Sequence, residues 1–390
     1  MKIDFSNTEV AFANKSLREL RQAYFLFKTL SHPFLVSSGK ALTKMSFRMG
    51  LPVKGVIKAT VYEHFVGGET IEECHAAILK LLEGKVYTIL DYSVEGKDSE
   101  SDFDRTRDTI IETIEVSKTN SGVPLTVFKP TGLGRFSLYE KVNRKESLNA
   151  EESAEWERIM ARFYAIAEAA HESGNPVMVD AEESWIQDCI DDIVQELMMK
   201  FNTVKPIVYN TLQMYRWDRI EFLKNAWSHA NRHGYKIGVK VVRGAYMEKE
   251  RDRAEKLGYK SPIQPTKDAT DRDYDEALRF IVEHIDEIFL VAGTHNEESS
   301  QLLVNLMEEK GLKLDDPRIW FAQLYGMSDH ISFNLSHLGY NVVKYLPFGP
   351  VKDVMPYLFR RAEENTSVAG QTGRELTLLE NELDRRKQNN

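Results

Sequence analysis

Cysteine is nearly absent from the 390-residue chain: Cys74 and Cys189 are its only two. They stand far apart, each on a helix-like stretch. That excludes a secreted disulfide scaffold and a Cys-rich metal site, and predicts two half-buried helix cysteines. Long hydrophobic runs are missing as well, since none approaches the ~18–20 residues of a membrane span. The N-terminal MKIDFSNTEV reads as neither a secretory signal nor an Arg-rich transit peptide. Excess positive charge is also lacking. Lys and Arg total 51 against 60 Asp and Glu, a net charge of −9 that argues against general nucleic-acid binding. No G-x-G-x-x-G occurs, because Gly132-Leu-Gly134 lacks the third glycine, so a Rossmann nucleotide site is not expected. A P-loop, a G-x-S-x-G and an HExxH pair are absent too, and the histidines are scattered. No metal site is expected. The remaining class is a soluble intracellular protein.

What is present is a rhythm. Residues 1–85 carry helical spacing without strand punctuation: Leu17, Leu20, Ala23, Tyr24 and Phe27 recur on one face, and Thr70 with Glu73 has capping-box spacing ahead of a helix that ends at Gly84. From residue 86, short apolar or β-branched runs alternate with longer amphipathic stretches. The runs fall at 86–91, 124–129, 176–180, 206–212, 237–242, 288–292, 319–324 and 341–345. Eight strand-helix pairs imply right-handed βαβ units and favour a closed barrel over an open doubly wound sheet. The expected fold is a distorted (β/α)8 TIM-like barrel over 86–367, with an N-terminal helical arm (1–85) and a C-terminal helical tail (368–390). Two long polar excursions, 131–150 and 247–271, follow the second and fifth runs on the side where lids form in this architecture.

In such a barrel the chemistry sits at the C-terminal strand ends. Those ends carry Asp91 and Glu95, Lys129, Asp180, Gln213, Lys240 with Arg243–Gly244–Ala245–Tyr246, Thr294–His295–Asn296, Gln323 and Tyr345. Polar groups in apolar strands cost free energy unless paired or solvated, so their gathering at one end marks a site. Asp180 and Asn296 also precede helices and are open to a second reading as N-caps. Lys129 is open to two roles: a Schiff-base lysine of an aldolase, or a point charge for an anionic substrate. On the last barrel helix Tyr357, Arg360, Arg361 and Glu364 form one stripe. They make either a solvated outer face or a pair of guanidiniums presented to a carboxylate.

Seven blocks in order resemble the proline dehydrogenase family: DYSVE (91–95), VDAE (179–182), LQMY (212–215), VKVVRGAY (239–246), THN (294–296), QLYGM (323–327) and YLFRRAEEN (357–365). The resemblance implies non-covalent FAD without a Rossmann fingerprint. It also implies oxidation of L-proline to Δ1-pyrroline-5-carboxylate, with hydride transfer to flavin N5 and electrons passed on to a quinone. By similarity Lys129, Arg360 and Arg361 would bind the proline carboxylate, and Asp180 would balance Lys129. Tyr246, Tyr345 and Tyr357 would wall the ring, with Tyr345 disfavouring a 4-hydroxyl. Glu95 would pair with an Arg of the last helix and gate the site. Gln213 would address the isoalloxazine edge, and Arg243, Gly244 and Ala245 the pyrophosphate and ring. Thr294, His295 and Asn296 would complete the cradle, Ala181 would add a backbone contact, and Glu364 would reach the adenosine half. Lys240 stands near flavin N5, where several bacterial members have Arg, so charge is kept and bidentate contact is lost. Chain length excludes the bifunctional fusion with an aldehyde dehydrogenase.

Two rival readings remain: a lysine-dependent aldolase on the same fold, and a non-catalytic barrel that binds partners through its N-terminal helices. A quinone acceptor makes the inner face of a membrane an alternative to the free cytoplasm. The terminal helix 374–386 has three readings: an oligomer contact, a lid or a membrane-surface element.

Overall fold

A computed structural model describes residues 1–49, 52–94, 98–367 and 371–388. Eight parallel strands form a closed barrel in the order β1 to β8. They are β1 Tyr87–Tyr92, β2 Leu125–Phe128, β3 Val177–Val179, β4 Val208–Gln213, β5 Ile237–Val242, β6 Ile288–Gly293, β7 Ile319–Leu324 and β8 Val342–Phe348. Each lies within a residue or two of its expected run, with β8 reaching three residues further. The reason is physical: strands covered on both faces read as continuous apolar runs, and every residue of β2, β3, β4 and β8 is buried.

The chain divides into two compact units. The first comprises residues 96–322 with Met1 and carries β2 to β6 and most of β7. Its register is continuous, with Val177 opposite Val208, Tyr209 opposite Gly238 and Val239 opposite Leu290. Gly238 is required opposite Tyr209, because a Cβ there would lie 2.4 Å from the Tyr209 ring. Both polar excursions contain helices rather than extended loop. The first holds Phe136–Asn143 and the second Met247–Leu257. The second is built of strong helix formers and ends at Gly258, with φ +71°. Cys189 and, in the other unit, Cys74 are fully buried rather than half-buried, and burial raises each thiol pKa to about 12. Neither is a ready nucleophile.

The second unit comprises residues 2–95 and 323–390 and pairs β1 with β8, from Tyr87 opposite Val343 to Tyr92 opposite Phe348. Its arm is helical. Ser16 and Glu19 form a reciprocal capping box that opens the helix Leu17–Leu30. At the next such site, Thr70 accepts from Glu73 N, but the Glu73 carboxylate takes the Glu69 N–H instead, so only half of a box forms. Leu20, Ala23 and Phe27 of the arm share one apolar core with Val354, Leu358, Leu378 and Leu379. Beneath it Lys344, on β8 and without exposed surface, donates to Asp329 Oδ1 at 2.8 Å, and Lys15 reaches Asp329 Oδ2 at 3.1 Å. Burial pushes the Asp329 carboxyl up, but the two ammonium groups more than reverse it and hold it well below the usual range.

Candidate active site

In the first unit, Lys129 follows β2, Asp180 follows β3 and Lys240 lies in β5. Asp180 sits between the lysines: Lys129 Nζ donates to Oδ2 at 3.2 Å, and Lys240 Nζ donates to Oδ1. Asp180 does not cap the next helix, which starts at Ser184. Burial raises its pKa, and the adjacent Lys240 and Lys129 ammoniums outweigh that and bring it below the ordinary value. The carboxylate is therefore ionised across the physiological range and locks both lysines in place.

A second network surrounds Gln213, the last residue of β4. Its Nε2 donates to the Glu182 carbonyl at 2.7 Å, and its Oε1 accepts from Ala245 N at 3.3 Å. Glu182 in turn takes the Thr131 N–H at 2.8 Å and the Thr131 hydroxyl at 2.7 Å on its carboxylate, and its own N–H meets Gln187 Oε1 at 2.8 Å. Burial, reinforced by neighbouring Glu183, raises the Glu182 pKa to about 7 despite the Thr131 bonds. Glu182 closes the VDAE block, which does not reveal this role. Its signal is burial, which a sequence does not display.

The third group gathers on Arg243. Nε donates to Asp271 at 2.6 Å, Nη1 to Thr294 Oγ1 at 2.7 Å and Nη2 to Ser299 Oγ at 2.9 Å, with the guanidinium 4.4 Å from the Tyr274 ring centre. Thr294 Oγ1 also accepts from Asn296 N at 3.1 Å, and Asn296 caps the helix Glu297–Glu309 through Ser299 N. The cap reading of Asn296 therefore holds. His295, between them, is half-buried, as is Ala181 after Asp180. Gly244 and Ala245 are exposed at the end of β5, and Tyr246 is half-buried at the start of the helix Met247–Leu257. Gly244 has φ +133°, and a Cβ there would fall 2.5 Å from the Tyr215 ring, so backbone shape and space both demand glycine. The helix that follows is tied down by Glu250, whose carboxylate takes the N–H and hydroxyl of Ser184, each at 2.6 Å.

In the second unit, Tyr345 is buried on β8, and its carbonyl accepts from Tyr325 N at 2.8 Å. The helix Met355–Ser367 carries Tyr357, Arg360 and Arg361. Tyr357 and Arg361 are buried, with the guanidinium 5.2 Å from the Tyr357 ring centre. Arg360 is half-buried. Burial of Arg361 departs from the solvated-face reading. Glu95 and the side chain of Glu364 lie outside the described residues.

These donors suit a dinucleotide flavin. A guanidinium beside an exposed glycine and a helix N-terminus is pyrophosphate-binding chemistry, and the Lys129–Asp180–Lys240 cluster provides cations for an anionic substrate.

Comparison with known proteins gives the family. The family model for proline dehydrogenase matches residues 74–374. Among curated relatives, the carbapenem antibiotics biosynthesis protein CarD of Pectobacterium carotovorum is 36% identical, over 85% of this chain and 86% of that protein. Proline dehydrogenase 1 of Dictyostelium discoideum is 32% identical, over 99% and 75%. Hydroxyproline dehydrogenase of Xenopus laevis is 31% identical, over 98% and 90%. The solved structure of proline utilization A from Bdellovibrio bacteriovorus, inactivated by N-propargylglycine, superposes with a TM-score of 0.72 at 21% identity. That likeness covers 92% of this chain and 38% of the other and concerns the fold.

Proposed function

The chain belongs to the proline dehydrogenase family, and from that premise we propose that it oxidises L-proline to Δ1-pyrroline-5-carboxylate, with non-covalent FAD as hydride acceptor and a quinone as onward acceptor. The observation that carries this reading is the Lys129–Asp180–Lys240 cluster, a half-buried and a buried ammonium held by one carboxylate. Lys129, Arg360 and Arg361 bind the substrate carboxylate. Three cations on one anion fix the ring's orientation, which lowers the barrier by positioning. Tyr246, Tyr345 and Tyr357 supply apolar walls, and Tyr345 favours proline over its 4-hydroxylated form. Asp180 orients Lys129 and Lys240.

On the cofactor side, Gln213, held by the Glu182 carbonyl, would offer its amide to the ring edge. Arg243, Gly244 and Ala245 would meet the pyrophosphate and ring. Thr294, His295 and Asn296, with Ala181 and Glu364, would complete the cradle, and Lys240 would supply a cation near N5. When bound, the flavin supplies a two-electron acceptor for the hydride on the ring carbon next to nitrogen. Lys129 is engaged by Asp180 at 3.2 Å, which favours anchoring over Schiff-base chemistry, since the latter needs a neutral amine. A bilayer-dissolved quinone places the enzyme peripherally at a membrane.

The test is an anaerobic visible spectrum of the purified protein before and after proline. The reading requires a flavin spectrum that proline bleaches. A colourless protein, or flavin that proline leaves oxidised, refutes it.

A further inference from the structure

The arm contains a surface that the site does not use. Between Leu20 and Tyr62 the sequence has seven Lys and Arg residues and no Asp or Glu, within a chain of net charge −9. The segment includes the helix Pro33–Arg48. Phe34, Leu35, Leu42, Met45 and Met49 are exposed, from 48% for Leu35 to 79% for Phe34. Met49 continues the helical turn, since its N–H reaches Met45 O at 3.0 Å. At ~100° per residue these five positions fall within an arc of about 100°. Val36, on the far side of the wheel, packs against the unit's apolar core. The helix is therefore apolar on both sides, and its outward side is uncovered. Phe25 and Val56, on the flanking helices, are exposed to a similar degree.

A contiguous exposed patch of this kind marks an interaction surface. Its charge decides the partner. Glu69, Glu73 and Glu363 pair with Lys40, Lys54 and Lys58, which still leaves the segment net cationic. A symmetric contact with a second copy would set two cationic segments against each other. An anionic bilayer satisfies both features, because apolar side chains enter the acyl boundary while Lys and Arg meet the headgroups. We propose that the outward face of the helix Pro33–Arg48 docks this protein on an anionic lipid surface. The proposal deepens the quinone reading above, since it names the surface that brings the enzyme to a bilayer-dissolved acceptor.

The experiment is flotation of the purified holoenzyme with vesicles of phosphatidylcholine alone, or of phosphatidylcholine with about one-third phosphatidylglycerol. The expected result is co-flotation with the anionic vesicles only, reversed by salt. The variant Phe34→Ser/Leu42→Ser/Met45→Ser should lose at least about tenfold in partitioning while its flavin content stays that of wild type, because these side chains are solvent-facing. Lys28→Gln/Lys54→Gln should weaken partitioning less and flatten its salt dependence. Equal flotation with both vesicle types, or none with either, overturns the proposal. So does a triple variant that floats like wild type. A wild-type oligomer that the triple variant dissociates without altering flotation assigns the face to a second copy instead. Bleaching of the flavin by proline is read separately in vesicle-free buffer, so a failure of the catalytic reading is distinguishable from a failure of this one.

Discussion

Glu182 offers a quantitative test of how the site is held. Its carboxyl is buried, and its pKa is raised from 4.5 to about 7. A group more easily protonated in the folded chain contributes stability that is complete below its unfolded pKa and lost as pH rises through its folded one. The rise corresponds to about 3 kcal/mol, at ~1.4 kcal/mol per pH unit, lost between about pH 4.5 and pH 7. Glu182→Gln mimics the protonated acid: its amide oxygen accepts the Thr131 N–H and its NH2 donates to the Thr131 hydroxyl, at the two contacts of 2.8 and 2.7 Å. The variant is therefore expected to match wild type near pH 5 and to exceed it by about 2–3 kcal/mol at pH 8. The assay is urea unfolding of both proteins at several pH values, with the difference curve isolating this one group. Parallel curves across the range would refute the reasoning. So would a variant that falls behind as pH rises.

Further outcomes follow from the same geometry. Asp180→Asn leaves the buried Lys240 and the half-buried Lys129 without their shared carboxylate and should lower stability by about 3 kcal/mol, measured by urea unfolding. It should also depress kcat for proline. Arg360→Met and Arg361→Met should each raise KM for proline by about ten- to a hundredfold while flavin stays bound, from a loss of about 1.5–3 kcal/mol per charge-assisted bond. Unchanged kinetics in both would remove them from the substrate site. Gly244→Ala forces a Cβ against Tyr215 at φ +133° and should yield protein with little flavin by absorbance ratio; full flavin occupancy would contradict it. Lys344→Met leaves Asp329 with Lys15 alone and should cost about 3 kcal/mol near neutral pH. That deficit should shrink as acid protonates Asp329, which chemical unfolding at low pH would show.

The barrel was legible because doubly covered parallel strands write themselves as uninterrupted apolar runs, and β4 to β7 match those runs to within two residues. The charged helix Met247–Leu257 was not, because MEKERDRAEKL has too few apolar residues to show a face. Residues at strand ends were readable as a set, but their partners were not. Lys129, Asp180 and Lys240 are about 50 to 60 positions apart in sequence and meet only through the β2–β3–β4–β5 order. Glu250 and Lys344 carry no motif, and the VDAE block that ends at Glu182 does not show what that carboxyl holds. The roles of all three come from burial, which turns an ordinary surface-type residue into a fixed strut.

The pairing of β1 with β8 has a consequence for how the chain is made. Tyr87 and its partner Val343 are separated by about 250 residues. At ~5–20 residues per second of synthesis, the β1 edge waits on the order of 10–50 s before its partner leaves the ribosome. Ile89 and Leu90 of that strand, completely buried in the finished barrel, spend the interval without their final cover. The nascent chain thus carries an apolar strand edge open to mispairing over that interval, and slower translation of the last third lengthens the exposure.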